Sequence, residues 1–343
     1  MFAYDKNRMT GMKKSTRLWQ HPAAGLGVIM LALVGCATSI PPAPCQSSLA
    51  APGPEQIFAT PEQAANALAE ANRSGDKTAL LKILGMQGSK IISSGDPVAD
   101  KESRDSFVAA YDKAHSIEDG DHGRKTLVVG DEEWPLPIPL VHVMAADKVV
   151  GGWQFDTSAG EQEILNRRIG RDEIYAIQIV RIYVQAQHEF ADQHYLPNGE
   201  SEYARHFLSR KGKHDGLYWP VKAGEAESPL GPLVADARAE GYGIGHTHPK
   251  RHPYHGYYYK ILTAQGDNAS GGAQNYIHNG HMTGGFALIA FPDKYGDTGI
   301  MTFIVNQNGI VFQKNLGPDT LRYADQITAY DPDSSWSITT LTP

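Results

Sequence analysis

Ile174-Tyr175-Ala176-Ile177-Gln178-Ile179-Val180-Arg181-Ile182-Tyr183-Val184-Gln185-Ala186 is the stretch on which the fold turns. Its apolar residues cover more than one helical face. We read it as the middle of one long helix over residues 161–194, apolar nearly all round and therefore expected to be buried on both sides. Only about 13 residues are apolar-rich and Arg181 interrupts them, whereas a membrane span takes roughly 20.

Toward the C-terminus, Pro197-Asn198-Gly199 breaks the helix, and a short helix is expected through Tyr203, Phe207 and Leu208. Strands follow. Residues 257–262 alternate next to Gly256, and residues 285–291 form a second apolar run. Residues 300–305 and 310–313 flank Asn306-Gln307-Asn308-Gly309, which is hairpin chemistry. A buried helix followed by an antiparallel meander, over residues 161–343, resembles the globular part of bacterial type IV pilins and pseudopilins. It lacks the very hydrophobic helix half through which pilins polymerise.

Toward the N-terminus, residues 55–160 place helices first and strands after. Thr60 can cap, Pro61 suits a first turn and Glu62 favours the positive helix end. Ala64, Ala65, Leu68 and Ala71 recur at helical spacing, residues 79–84 continue after Gly75-Asp76, and residues 105–115 read as a further helix. Residues 126–129, 140–144 and 152–156 then read as strands. This order indicates α+β with an antiparallel sheet. The arrangement resembles the cone-shaped fold of the nuclear-transport-factor-2-like superfamily, which often encloses a pocket and serves enzymes and non-enzymes alike.

The first 54 residues carry an address. Lys13, Lys14 and Arg17 precede an uncharged apolar run over residues 23–34, which is the length of a signal-peptide core. The run ends in Leu33-Val34-Gly35-Cys36, which resembles the bacterial lipobox. That resemblance implies a signal peptide over residues 1–35, a lipid on Cys36 and cleavage just before it. Either Met1 or Met12 can serve as the start. Residues 36–54, rich in Pro, Ser and Ala, read as a tether. Export to a membrane-anchored position is the expectation. It faces the periplasm from the outer membrane if the host has two membranes, since Ala37 is not the aspartate of an inner-membrane retention signal.

The composition supports a folded protein. Of 343 residues, 41% are apolar and 20% charged, which is not the balance of a disordered chain. The net charge is −7. Residues 1–35 hold five Lys and Arg and one Asp; taken from 31 basic and 38 acidic residues, this leaves 26 and 37, a formal −11. A chain this acidic lacks the basic face of a nucleic-acid binder, and its membrane attachment would come from the lipid. With Cys36 acylated, Cys45 has no internal partner.

Several segments together are similar to one bacterial family, the "domain of unknown function 2950" proteins. They are Phe58-Ala59-Thr60-Pro61-Glu62, Ser93-Ser94-Gly95-Asp96-Pro97-Val98, Ile169-Gly170-Arg171, Pro253-Tyr254-His255-Gly256-Tyr257-Tyr258, Gly284-Gly285-Phe286-Ala287 and Met301-Thr302-Phe303-Ile304-Val305-Asn306. The resemblance covers residues 55–336. It implies an exported protein with no catalytic residues to carry over.

Candidate chemistry is sparse. His246, His248, His252 and His255 form a histidine-rich loop that can bind a divalent metal, with Lys250 and Arg251 opposing it. Gly245-His246-Thr247-His248-Pro249 resembles the zinc core of JAMM peptidases, but Gly256 and Tyr259 stand where that motif needs serine and aspartate. Asp96 and Asp100 are close enough for acid–base work or calcium, or simply cap a helix. Trp134, among prolines, suits an exposed edge or a partner-binding lip. Tyr254 and Tyr257 belong to a possible aromatic surface. There is no phosphate-binding loop, no Gly-x-Ser-x-Gly and no dinucleotide fingerprint.

The expectation is a lipid-anchored envelope protein that makes protein or surface contacts without catalysis and needs no cofactor. A small-ligand binder or enzyme using an N-terminal pocket is the alternative, and a histidine-loop metal binder is the third.

Overall fold

The computed structural model describes residues 55–145, 148–222, 224–242 and 253–339. The first helix begins where local chemistry starts it. The Thr60 hydroxyl accepts from the Gln63 N–H at 3.2 Å, and Pro61 occupies the first turn of α1 (Pro61–Ser74). Gly75, at φ 66°, ends it in the left-handed region. Asp76 caps α2 (Lys77–Leu84), and α3 (Ser89–Ile92) is a single turn. Asp96 caps α4 (Pro97–Lys113). This helix begins at Pro97 rather than at 105. Its first half is largely exposed and carries no apolar period, so the start lies in the Asp96-Pro97 cap instead.

Strands β1 (His115–Asp119), β2 (Lys125–Val129), β3 (Trp134–Pro135), β4 (Leu140–Ala145) and β5 (Lys148–Phe155) make an antiparallel sheet. Its order is β1-β2-β4-β5, with β3 paired to β2. Alternation did not reveal β1, because Ile117 is its one half-buried residue. Helices α1 and α2 pack on β5, and Leu68, Leu80, Ile83, Ile138, Leu140 and Phe155 form the core between them. Ala65, Ala69, Tyr111, Leu127 and Val129 form a second, adjoining cluster.

The long helix α5 (Thr157–Ala191) opens on Asp156, whose side chain accepts from the Ala159 N–H at 3.2 Å. Its beginning packs against α3. Its later turns pack against β11 (Ala287–Pro292) and β12 (Met301–Asn306) of the second sheet. Ala176, Ile177, Val180, Tyr183 and Phe190 are buried there, whereas Ile174 and Ile182 are exposed. The helix therefore buries a broad face and not its whole circumference.

The helix expected through Tyr203, Phe207 and Leu208 does not form. Leu208 instead bridges Tyr218 in parallel, and the Tyr203 N–H donates to the Met282 carbonyl at 2.8 Å. Buried Gln187 of α5 replaces a helical ladder here. Its Nε2 donates to the Ala204 carbonyl at 2.8 Å, and its Oε1 accepts the Ala204 N–H at 2.9 Å. An irregular buried backbone is thus satisfied by one side chain. Helix α6 (Gly231–Glu240) lies beyond it.

Strands β6 (Tyr257–Leu262), β11, β12, β13 (Phe312–Asn315) and β14 (Ser337–Ile338) form the second sheet, antiparallel, in the order β14-β13-β12-β11-β6. Central β11 is buried along its whole length. In the β12–β13 hairpin, Ile304 pairs with Phe312 and the Gly309 N–H donates to the Asn306 carbonyl at 2.9 Å. Short pairs β7 (Ala264–Gln265) with β8 (Gln274–Asn275) and β9 (Ile277–His278) with β10 (His281–Met282) decorate this sheet, and α7 (Thr320–Gln326) packs on β11. Helices and antiparallel sheets make the class α+β. Among the described residues no helix is long and apolar enough to cross a membrane.

Candidate functional site

The packing of α1, α2 and α4 over the first sheet leaves a cleft of 840 Å³ that also reaches the first turns of α5. Leu68, Leu80, Leu84, Phe107, Ile138 and Ile164 supply apolar walls. Trp134 stands at the edge, half exposed, with the Arg167 guanidinium 4.4 Å from its ring centre. Cation–π attraction holds the two side chains together.

Five cations line this cleft: Arg104, Lys113, Arg167, Arg168 and Arg171. Three are engaged. Lys113 pairs with Asp131 at 2.5 Å, and Arg167 pairs with Glu163 at 2.7 Å. Arg168 is largely covered, donating to Asp297 at 2.5 Å and to the carbonyls of Lys90 and Ile91 at 2.7 and 2.6 Å. The Arg171 Nε lies a long 3.4 Å from Asp172. The Nη1 of Arg104 is shielded from solvent and has no hydrogen-bond partner among the described residues. Among the acids, Asp100 is spent on Ser94, accepting its N–H at 2.9 Å and its hydroxyl at 2.8 Å, and on the Ser93 hydroxyl at 3.1 Å. Glu102, Asp131 and Glu132 are exposed.

A second polar cluster joins the start of α4, the middle of α5 and the segment before β6. Asp96 caps α4 with Oδ1, while its Oδ2 accepts the Tyr242 hydroxyl at 2.8 Å and the Gly256 N–H at 3.4 Å. His255 is buried and stacks on Tyr175 with ring centres 4.3 Å apart. Burial lowers its pKa to about 4, against a raising influence of Asp96. Its Nε2 lies 3.1 Å from Glu240, and a neutral ring makes that contact by donating its N–H. Asp172 is buried as well. Desolvation raises its carboxyl to about 7, with Arg171 and Arg168 pulling the other way. Arg171 is therefore only partly compensated by its neighbour near neutral pH.

A smaller cavity of 330 Å³ lies in the C-terminal core, lined by Ile179, Tyr183, Phe207, Tyr254, Tyr259 and Leu288 among others. Among the described residues no charged side chain lines it, and the buried Tyr259 hydroxyl has no partner.

The residues singled out from the sequence are thus divided. Trp134 and Asp100 line the large cleft, while Asp96, His255 and Tyr254 meet Tyr242 and Glu240 in the second cluster. Tyr257 is fully buried in the sheet core and donates to the Met301 carbonyl at 2.9 Å. Gly256 fits where it stands because an added Cβ would meet Thr298 at 2.8 Å. His246, His248, His252 and Cys36 lie outside the described residues. Among the described residues no group of three His, Cys, Asp or Glu side chains is placed to hold a metal. Sequence reading passed over Arg104, Asp172 and Tyr242, and met Arg171 only within a family segment, without a role. The spacing of Arg167, Arg168 and Arg171 on one helix was a visible signal, whereas isolated Arg104 offered none.

Among known proteins, a family model described as "Protein of unknown function (DUF2950)" matches residues 55–339. No curated protein and no solved structure matches the chain significantly.

Proposed function

We propose that this chain, which belongs to the DUF2950 family, is an exported envelope protein, anchored by a lipid on Cys36, that holds a small ligand in the cleft of its N-terminal region. The observation that carries this is the 840 Å³ cleft itself, whose apolar walls are interspersed with charged side chains, a concavity that joins apolar surface to convergent polar groups as small-molecule sites do. On this reading residues 55–160 form a cone-like frame of the nuclear-transport-factor-2-like kind, and α5 with the second sheet forms a pilin-like body. Binding fits better than catalysis, because among the described residues no histidine or cysteine lines the cleft and Asp100 is already satisfied by serines. It also fits better than a purely contact-making surface, since the apolar residues concerned line a concavity.

The test uses the chain from Ala51, the start of the compact unit that contains every described element and all three apolar clusters. N-phenyl-1-naphthylamine, an uncharged fluorescent probe, should bind it saturably with one-to-one stoichiometry. Ala110→Trp, which fills the cleft, should abolish binding while leaving the melting temperature near that of the parent. No saturable binding, or binding untouched by Ala110→Trp, would end this reading.

A further inference from the structure

We infer that the ligand of this cleft is an amphipathic anion: a small apolar body bearing one carboxylate, sulfonate or phosphate group, taken by Arg104 of α4 and Arg171 of α5. The inference rests on the proposed binding role of the cleft and specifies its ligand class.

Three of the five cations in the wall are already used. Arg168 is held by a carboxylate and two carbonyls, Arg167 by Glu163 and the Trp134 ring, and Lys113 by Asp131. Their roles are accounted for by the protein itself. Arg104 is different. A guanidinium nitrogen withdrawn from water needs an acceptor, and among the described residues Nη1 of Arg104 has none. Asp100, the buried acid of the same wall, is turned to Ser93 and Ser94 and does not serve it. Among the described residues Arg171 has one hydrogen-bond contact, a 3.4 Å approach to the adjacent Asp172, and its side chain is 46% exposed.

The cleft therefore presents two under-used guanidinium groups from different helices beside Leu68, Leu84, Phe107 and Ile138. Guanidinium matches an oxyanion with parallel N–H donors, and hydrogen bonds to a charged acceptor are the stronger kind. The exposed rim acids Glu102 and Glu132 stand in water, where screening weakens their repulsion. A cation would meet Arg104 without compensation. A neutral apolar molecule would leave its buried N–H unsatisfied.

A matched pair of probes isolates the anionic group. 8-Anilinonaphthalene-1-sulfonate and N-phenyl-1-naphthylamine share an apolar body and differ by the sulfonate. The chain from Ala51 should bind the sulfonate about tenfold tighter or more, the size of one charge-assisted hydrogen bond. Arg104→Gln and Arg171→Gln should each lower that preference several-fold while still binding the neutral probe saturably with one-to-one stoichiometry, which reports that the cleft is intact. Arg322→Gln, at an exposed arginine of α7 paired with Asp319, should change nothing. Neutral binding with no sulfonate preference, or a preference that survives both arginine variants, overturns the anion assignment and leaves the cleft reading standing. If neither probe binds, both fail together.

Discussion

The Tyr242 hydroxyl donates to Oδ2 of Asp96 at 2.8 Å, across 146 residues of chain, while Oδ1 of the same carboxylate accepts the N–H groups of Val98 and Ala99, each at 3.1 Å. One side chain both starts α4 and fastens the segment before β6. Removing the tyrosine oxygen leaves Oδ2 with the 3.4 Å Gly256 contact. Tyr242→Phe should cost about 1–3 kcal/mol, as expected for a buried acceptor stripped of its donor. Asp96→Ala should cost more, because a helix cap worth about 1 kcal/mol goes with it. Asp96→Asn keeps a capping oxygen and should fall between the alanine variant and the wild type. Urea denaturation measures all three, and equal losses would contradict the double role.

Stability against pH should expose two opposing groups. Asp172 is raised from 3.8 to about 7, so its neutral form belongs to the folded state. Its contribution is complete below about pH 4 and is lost as pH rises through about 7. His255 is lowered from 6.5 to about 4, so its neutral ring is the folded form. That contribution is complete above about pH 6.5 and is lost as pH falls toward about 4. The two slopes oppose each other across that window. Asp172→Asn should leave a protein that gains about 3 kcal/mol from pH 4 to 6.5, and His255→Gln one that loses a similar amount over the same range. Parallel profiles for the two variants would refute the assignment.

Gly256 sits at φ +72° between Asp172 and Thr298. A Cβ there would lie 2.8 Å from the Thr298 Cβ and 3.0 Å from an Asp172 oxygen. Gly256→Ala adds overpacking, about 1–3 kcal/mol, to a left-handed penalty of about 1–2 kcal/mol. Gly199, at φ +84° with nothing within 4 Å, carries the backbone penalty alone. Calorimetry should show Gly256→Ala melting well below Gly199→Ala. Matching melting temperatures would mean that the close approach is tolerated.

Export and anchoring are tested apart from the fold. Cys36→Ser should block lipidation and accumulate an uncleaved precursor. Mass spectrometry of the wild-type N-terminus should find a modified Cys36 as the first residue. A mature chain that begins elsewhere removes the anchor from the proposal.

What the amino-acid sequence determined by itself was local. Thr60 and Pro61 start α1 through a hydroxyl and a fixed φ that act within four residues. The apolar runs of β11 and β12 and the Asn306–Gly309 turn announce a hairpin sheet, because strand pairing across a short turn is set by neighbours in the chain. The family's segments were legible for the same reason, each being a contiguous motif. Misreadings occurred where a local pattern had a distant partner. Tyr203 and Phe207 have helical spacing, but Gln187 of another element satisfies the Ala204 backbone and removes the need for a helix. Asp96 and Asp100 read locally as a pair for acid–base work or calcium, or as a helix cap; Asp96 does cap α4, and packing gives its other oxygen to Tyr242 and Asp100 to serines. An N-terminal pocket stands among the sequence readings, with Trp134 and Asp100 as candidates, but the arginines that line it do not. Arg104 and Arg171 lie on different helices, and whether a guanidinium is bound or waiting depends on which acceptors tertiary packing brings within reach and which it screens from water. That depends on the meeting of separate elements, which no residue spacing along the chain encodes.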